Sequence, residues 1–190
     1  MIRESIITTI SAAGEPHIAP MGVIWRDKVP VLAPFRPSRT LDNLREHPFA
    51  VISHTEDVRV FAGCLTGRRE WPVRPATTVR GVVIEGAHFH QELAVSDVEE
   101  DATRPRFRCR VVHEAVHGPF RGFNRAQAAV IEAAILISRL EMLPMDKIER
   151  EMAYLAIAVE KTAGPREREA WSWLAACLDE FRGDAKVTRK

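Results

Sequence analysis

The alternation of apolar and polar positions changes character near Gly122. Upstream, short alternating or β-branched runs are broken by Gly, Pro and charged turns. They cover Ser5–Ser11, Pro16–Trp25, Val29–Ala33, Phe49–Ser53, Val82–Gln91 and Arg106–His117. A period of two puts every second side chain on one face, as a half-buried strand requires. Strands joined by turns such as Ala13-Gly14-Glu15 and Arg26-Asp27-Lys28 predict an antiparallel sheet or small barrel. One short helix is expected, capped by Thr40, covering Leu41–His47 and ended by Pro48. A helical turn is expected over Asp57–Cys64. Residues 66–78 show no period and read as a loop, and Glu99-Glu100-Asp101 as a solvated run.

Downstream of Gly122 the spacing is helical. Asn124 and Gln127 open a helix predicted to reach about Met142. Between Ala128 and Ile137 its only polar residue is Glu132. A helix apolar nearly all round must be covered on several sides, by the sheet, by other helices or by a second subunit. A second helix carries Ile148, Met152, Leu155 and Val159 on one stripe, starts at Asp146 and Glu149, and is stopped by Gly164-Pro165. The last repeats the spacing at Trp171, Leu174, Leu178 and Phe181 and is expected to stop at Gly183. The class is therefore α+β. Residues 1–122 form the strand-rich part, 123–183 a region of about three helices packed on it or on a dimer partner, and 184–190 a tail expected to be disordered. The helical stripes read as core or interface, while Trp171 and Trp173 are open among core, dimer interface and flavin edge.

Composition changes this picture little, but it removes several functions. Hydrophobic residues make up 46% and charged residues 28% of the 190, an ordinary globular balance. Lys plus Arg is 27 against 26 for Asp plus Glu. A net charge of +1 argues against a general polyanion binder, so no nucleic-acid partner is expected. No apolar stretch approaches the roughly 20 residues that span a bilayer. Met1-Ile2-Arg3-Glu4-Ser5 lacks a signal peptide's apolar centre, and a cytoplasmic protein is expected. Cys64, Cys109 and Cys177 have no metal-site or redox-motif spacing and read as reduced thiols.

His113-Glu114-Ala115-Val116-His117 matches the metalloprotease string H-E-x-x-H. That chemistry needs a helix, so that residues four apart share a face and one metal. Here Gly118-Pro119 follows at once, and Phe107, Cys109 and Val111 alternate with Arg108 and Arg110 as in a strand. In a strand the two histidines stand about 13 Å apart and cannot chelate one zinc. His88 and His90, about 6.6 Å apart on one strand face, could fit a metal, but no third ligand is evident and no metal site is expected. His17, His47 and His54 have no ligand pattern.

The segment from Pro34 to Leu44, Pro-Phe-Arg-Pro-Ser-Arg-Thr-Leu-Asp-Asn-Leu, follows a predicted strand and opens a predicted helix. Free N–H groups and the positive end of the helix dipole make such a tip a phosphate seat. Arg36 and Arg39 add charge, and Ser38 and Thr40 add hydroxyls. The alternative is an ordinary N-cap beside two solvated arginines. The glycine-rich P-loop and dinucleotide fingerprints are absent. In His17-Ile18-Ala19-Pro20-Met21-Gly22-Val23, Pro and Gly interrupt a strand pattern, as at a bulge or at a ledge where a flat ligand approaches the backbone. Val51 to Asp57 is a buried-looking strand end running into polar residues. No triad, acid pair or nucleophile stands out.

Taken in order, Glu4-Ser5-Ile6-Ile7-Thr8-Thr9, Ala19-Pro20-Met21-Gly22-Val23, Phe35 to Leu44 and Phe123-Asn124-Arg125-Ala126 resemble an uncharacterised family of FMN-binding split-barrel proteins of archaea and methylotrophic bacteria. The resemblance runs from about Glu4 to the final helix and is weakest over 66–78 and the tail. It implies a six-stranded antiparallel split β-barrel of the flavin-reductase and pyridoxine-phosphate-oxidase type, followed by helices, in a homodimer with FMN at the subunit boundary. It implies further that Arg36, Ser38, Arg39, Thr40 and Asn43 hold the phosphate and ribityl chain. His17, Pro20, Met21, Gly22 and Val23 would face the ring, with Ser53 and Thr55 nearby, although the family often has Asn at the position of Ser53. Asn124 and Arg125 match a family position read either as a helix cap or as a substrate contact. The activity implied is an oxidoreductase acting on a small molecule, linked to tetrahydromethanopterin-dependent one-carbon metabolism. A non-catalytic flavin-binding or carrier module is the alternative.

Overall fold

The computed structural model describes residues 1–187. In chain order its elements are β1 (Ile2–Ile10), β2 (Pro16–Arg26), β3 (Val29–Leu32), α1 (Arg39–Glu46), β4 (Phe49–His54), α2 (Arg59–Leu65), β5 (Val73–Pro75) and β6 (Val82–Ile84). They continue with β7 (Phe89–Glu99), β8 (Arg106–Val116), α3 (Arg125–Ile137), α4 (Met145–Thr162) and α5 (Pro165–Val187). Two compact units result. One contains residues 1–55 and 70–120, the other 56–69 and 121 onward, so α2 groups with the C-terminal helices.

In the first unit six antiparallel strands close a barrel in the order β1-β2-β3-β8-β7-β4. Alternation fills its interior with Ile7, Val23, Leu32, Ala50, Ile52, Leu93, Phe107 and Cys109, against which α1 sets Leu41 and Leu44. The β2–β3 hairpin turns on Asp27 and Lys28, both at positive φ (49 and 70), as the tight turn matching strand twist requires. Residues 70–87 leave the barrel and return. They hold the small β5–β6 sheet and cover the outer barrel face with Val79, Val83 and Ala87 packed on Val51.

Three details depart from the sequence reading. The run expected as one strand over Val82–Gln91 divides into β6 and β7, with Gly86 at φ 81 in the turn between them. The stretch 66–78, expected as loop, contains β5. There is also no bulge at Pro20-Met21-Gly22. β2 pairs with β1 without interruption from Ile2↔Ile24 to Ile10↔Pro16. Pro20 is tolerated because β3 pairs only with Ile24–Arg26, leaving the earlier half of β2 with an edge facing no strand. Gly22 is needed because a Cβ there would lie 2.8 Å from Ile2 Cγ2.

In the second unit α3 is the central helix, as its apolar circumference predicts. Val130 and Ala133 are fully buried among Val58 just before α2, Ala62 of α2, Ile148 and Met152 of α4, and Ala170, Leu174 and Leu178 of α5. Trp171 and Trp173 pack on this core, and the Arg68 guanidinium lies 4.5 Å from the centre of the Trp173 ring. α3 ends at Ile137, short of Met142. α5 begins with Pro165 at its first helical position, and Glu167 reaches back to accept the Gly164 N–H at 3.0 Å. It continues through Gly183 to Val187 instead of stopping. Residues 188–190 of the expected tail lie outside the described residues. None of the three cysteines is in a disulfide, and among the described residues no helix is long and apolar enough to cross a membrane.

Candidate functional site

The loop between β3 and α1 is held by the turn that joins β7 to β8. Asp101 accepts the N–H groups of Thr103 and Arg104. Thr103 O in turn accepts the Arg36 N–H, and the Arg104 guanidinium donates twice to Ala33 O while lying 4.3 Å from the centre of the Phe35 ring. Glu100 bridges Arg36 and Arg45 at 3.0 and 2.9 Å. The acidic run expected to be merely solvated therefore anchors this loop. Arg104, which the sequence reading passed over, is the clamp.

This scaffold presents the tip of α1. Ser38, not Thr40, is the N-cap: its Oγ accepts the Leu41 N–H at 3.2 Å. The Asp42 N–H reaches Ser38 O, while the N–H groups of Arg39 and Thr40 have no acceptor among the described residues. The guanidinium of Arg39 is exposed and makes no ion pair among them, and Thr40, 3% exposed, makes no side-chain hydrogen bond. Two N–H groups without acceptors, a hydroxyl and an unpaired cation thus belong to one helix end, the donor set an anion requires.

The remaining residues singled out from the sequence are dispersed. Arg36 is paired with Glu100. Asn43 points at the barrel, donating to Thr9 Oγ1 at 2.9 Å with both residues buried. Met21 and Val23 pack against the interior cluster, so alternation turns Pro20 and Gly22 to the outer face, and His17 is half-buried at the far end of β2. Ser53 is fully buried, its Oγ accepting the Ile84 N–H at 3.4 Å, and Thr55 is half-buried just beyond β4. In the helical unit Asn124 caps α3. It accepts the N–H groups of Ala126 and Gln127 and donates to Thr162 O, while Arg125 is exposed. A cleft of about 370 Å³ beside it is lined by Glu56, Arg121, Phe123, Asn124, Arg166 and Glu167 among others, and Arg125 is not one of them.

A second polar constellation lies on the outer face of β7 and β8. Glu92, fully buried, accepts the N–H groups of Thr77, Thr78 and Val79 at 2.6, 2.6 and 2.9 Å. Burial pushes its carboxyl up, but these donors and His90 outweigh burial and hold it at about 2. His90, 1% exposed, places Nε2 3.3 Å from Glu92 Oε1 and Nδ1 2.7 Å from His117 Nε2. Arg74 Nη2 also meets His117 Nε2 at 2.7 Å, and burial followed by the Arg74 charge pushes the His117 ring below its ordinary value. His113 lies directly across from Glu92, its ring centroid 5.6 Å from that of His90. β8 is a strand, as the rejection of the protease string requires, yet both of the string's histidines flank His90. What brings them there is a bulge. Val112 is the extra residue between the pairs Leu93↔Val111 and Glu92↔His113, and one inserted residue moves every later side chain of β8 to the opposite face.

Residues 3–118 match the family described as the N-terminal domain of a protein of unknown function (DUF447), and residues 124–176 match the companion family described as a protein of unknown function (DUF447). The chain belongs to the DUF447 family. No curated protein matches its sequence. Among solved structures, an FMN-bound DUF447 protein from Methanosarcina mazei shares its fold, with a TM-score of 0.82 at 17% identity over 93% of this chain and 95% of that one. The 2-nitrobenzoate 2-nitroreductase of Pseudomonas fluorescens covers 60% of this chain and 64% of its own at a TM-score of 0.51 and 17% identity. An NADH:FAD oxidoreductase of Streptomyces globisporus covers 63% and 84% at 0.51 and 15%. The DUF447 chain thus has the barrel fold found in flavin-dependent proteins, as its resemblance implied.

Proposed function

We propose that this DUF447 protein binds FMN and works as an oxidoreductase on a small molecule. The observation that carries the reading is the tip of α1. The Arg39 and Thr40 N–H groups, the Thr40 hydroxyl and the unpaired Arg39 guanidinium form a ready phosphate seat. They do so in a barrel shared with an FMN-bound member of the same family. In this reading Arg39, Thr40 and the hydroxyl hydrogen of Ser38 hold the phosphate. Arg36 and Asn43, already engaged with Glu100 and Thr9, hold the loop and helix in position. The ring lies along the edge of β2 between Ala19 and Val23, where no neighbouring strand takes up the backbone donors. FMN supplies the electron or hydride transfer when bound, and the chain supplies placement and fixed dipoles.

The functional unit is a homodimer with the flavin at the subunit boundary, as in the family it resembles. A substrate in tetrahydromethanopterin-linked one-carbon metabolism is the finer form of the proposal, and its support is that resemblance alone. The test begins with FMN titrated into flavin-free protein, followed by anaerobic addition of NADH or NADPH to the complex. Stoichiometric binding, bleaching of the flavin band and turnover with an acceptor support the oxidoreductase. Binding without reduction by any nicotinamide or deazaflavin donor supports a flavin carrier. Failure to bind FMN at all refutes both.

A further inference from the structure

We infer that His90, Glu92 and His113 form a binding site for a divalent transition-metal ion of the zinc class on the outer face of the barrel. Each offers a ligand atom, and these atoms lie within 4.8 Å of one another. Two imidazoles and a carboxylate suit zinc, with a fourth position left for water or a substrate group.

The geometry of the buried pair suits a cation. His90 Nε2 and Glu92 Oε1 face each other 3.3 Å apart, both residues being buried. An ion between them takes the place of the ring hydrogen that otherwise bridges the pair. Two ligands at about 2.0–2.1 Å from a tetrahedral zinc stand about 3.3 Å apart.

Glu92 has the capacity to bind. Its Oε2 is occupied by two backbone N–H groups, but Oε1 accepts only Thr77 N–H besides the His90 contact. His113 is half-buried, and its ligand atom already lies within 4.8 Å of those of His90 and Glu92. His117 does not need to ligate. With an ion on His90 Nε2, the ring's one hydrogen sits on Nδ1 and points at His117 Nε2, 2.7 Å away, the role an outer partner takes at many zinc sites.

The experiment uses tag-free, full-length protein stripped with chelator and titrated with Zn²⁺, with uptake counted by elemental analysis and Co²⁺ as a coloured substitute. One tightly held Zn²⁺ per chain and a tetrahedral Co²⁺ spectrum are expected, both lost in His90→Ala and His113→Ala. His117→Ala should weaken Zn²⁺ binding by about 10–100-fold while preserving the one-to-one ratio. His47→Ala, at the C-terminal cap of α1, should bind as the parent does. His113 is part-exposed, so its variant keeps the test alive should the buried His90 variant misfold. No stoichiometric uptake by folded parent protein overturns the site, as does uptake of equal affinity in a folded His113→Ala variant.

Discussion

Glu92→Gln is the most informative single substitution in the barrel. The carboxylate is fully buried and holds three consecutive amides of the segment covering the outer barrel face. An amide of the same shape can keep its oxygen on Thr78 and Val79 N–H, but its NH₂ group then faces Thr77 N–H, donor against donor. Leaving one buried N–H unpaired costs about 1–3 kcal/mol, and loss of charge from the other two bonds adds to that. A carboxyl held at about 2 against an ordinary 4.5 expresses the same three bonds, with the His90 contact, as about 3 kcal/mol, at 1.36 kcal/mol for each unit. A loss of roughly 3 kcal/mol of stability at neutral pH is therefore expected. Urea unfolding of parent and variant, both with chelator so that no metal contributes, measures the total. Hydrogen exchange at Thr77, Thr78 and Val79 locates it, and these amides should lose protection first. A variant within about 0.5 kcal/mol of the parent, with the three amides still protected, would refute the assignment of Glu92 as the anchor of this segment.

Arg39→Ala combined with Thr40→Ala should weaken FMN binding by several kcal/mol at most, since each charge-assisted bond nets about 1.5–3 kcal/mol, with melting little changed; unchanged affinity in a calorimetric titration removes the phosphate assignment. Ser38→Ala should cost about 1 kcal/mol of stability through loss of the α1 cap, read from denaturant midpoints. Burial raises the Asp57 carboxyl, but the Arg59 hydrogen bonds outweigh it and hold it below 3.8. Its stabilisation is therefore complete above the ordinary carboxylate range and disappears as pH falls through the lowered value, so the melting gap between parent and Asp57→Asn should close in acid; a gap independent of pH contradicts this. Burial pushes the Cys109 thiol up to about 12, so it should react with a thiol reagent only as fast as the barrel opens, well behind Cys177.

Much of this architecture is legible in one dimension because it depends on local periodicity. Alternation marked the barrel strands, and the apolar circumference of α3 required burial on several sides, which α2, α4 and α5 provide. The position of the helix tip after β3 was likewise readable from Ser38, Pro48 and the apolar pair Leu41 and Leu44. Its cap was misplaced by two residues, because Ser38 and Thr40 carry equivalent hydroxyls and only the backbone shows which one leads the helix and which is buried.

The chain order of residues thus determined the strands, the helices and the anion-friendly tip, since each arises from contacts within a few positions. What it could not determine was which face each residue of β8 would take beyond Val111. That depends on one unpaired residue, Val112, whose insertion is decided by pairing with a strand that begins 23 positions earlier, at Phe89. The same bulge turns His113 toward His90 and Glu92, and the loop 77–79 closes over them through three backbone donors that no side-chain pattern encodes. Register between distant strands is a property of the closed barrel, and the histidine cluster exists only once that register is set.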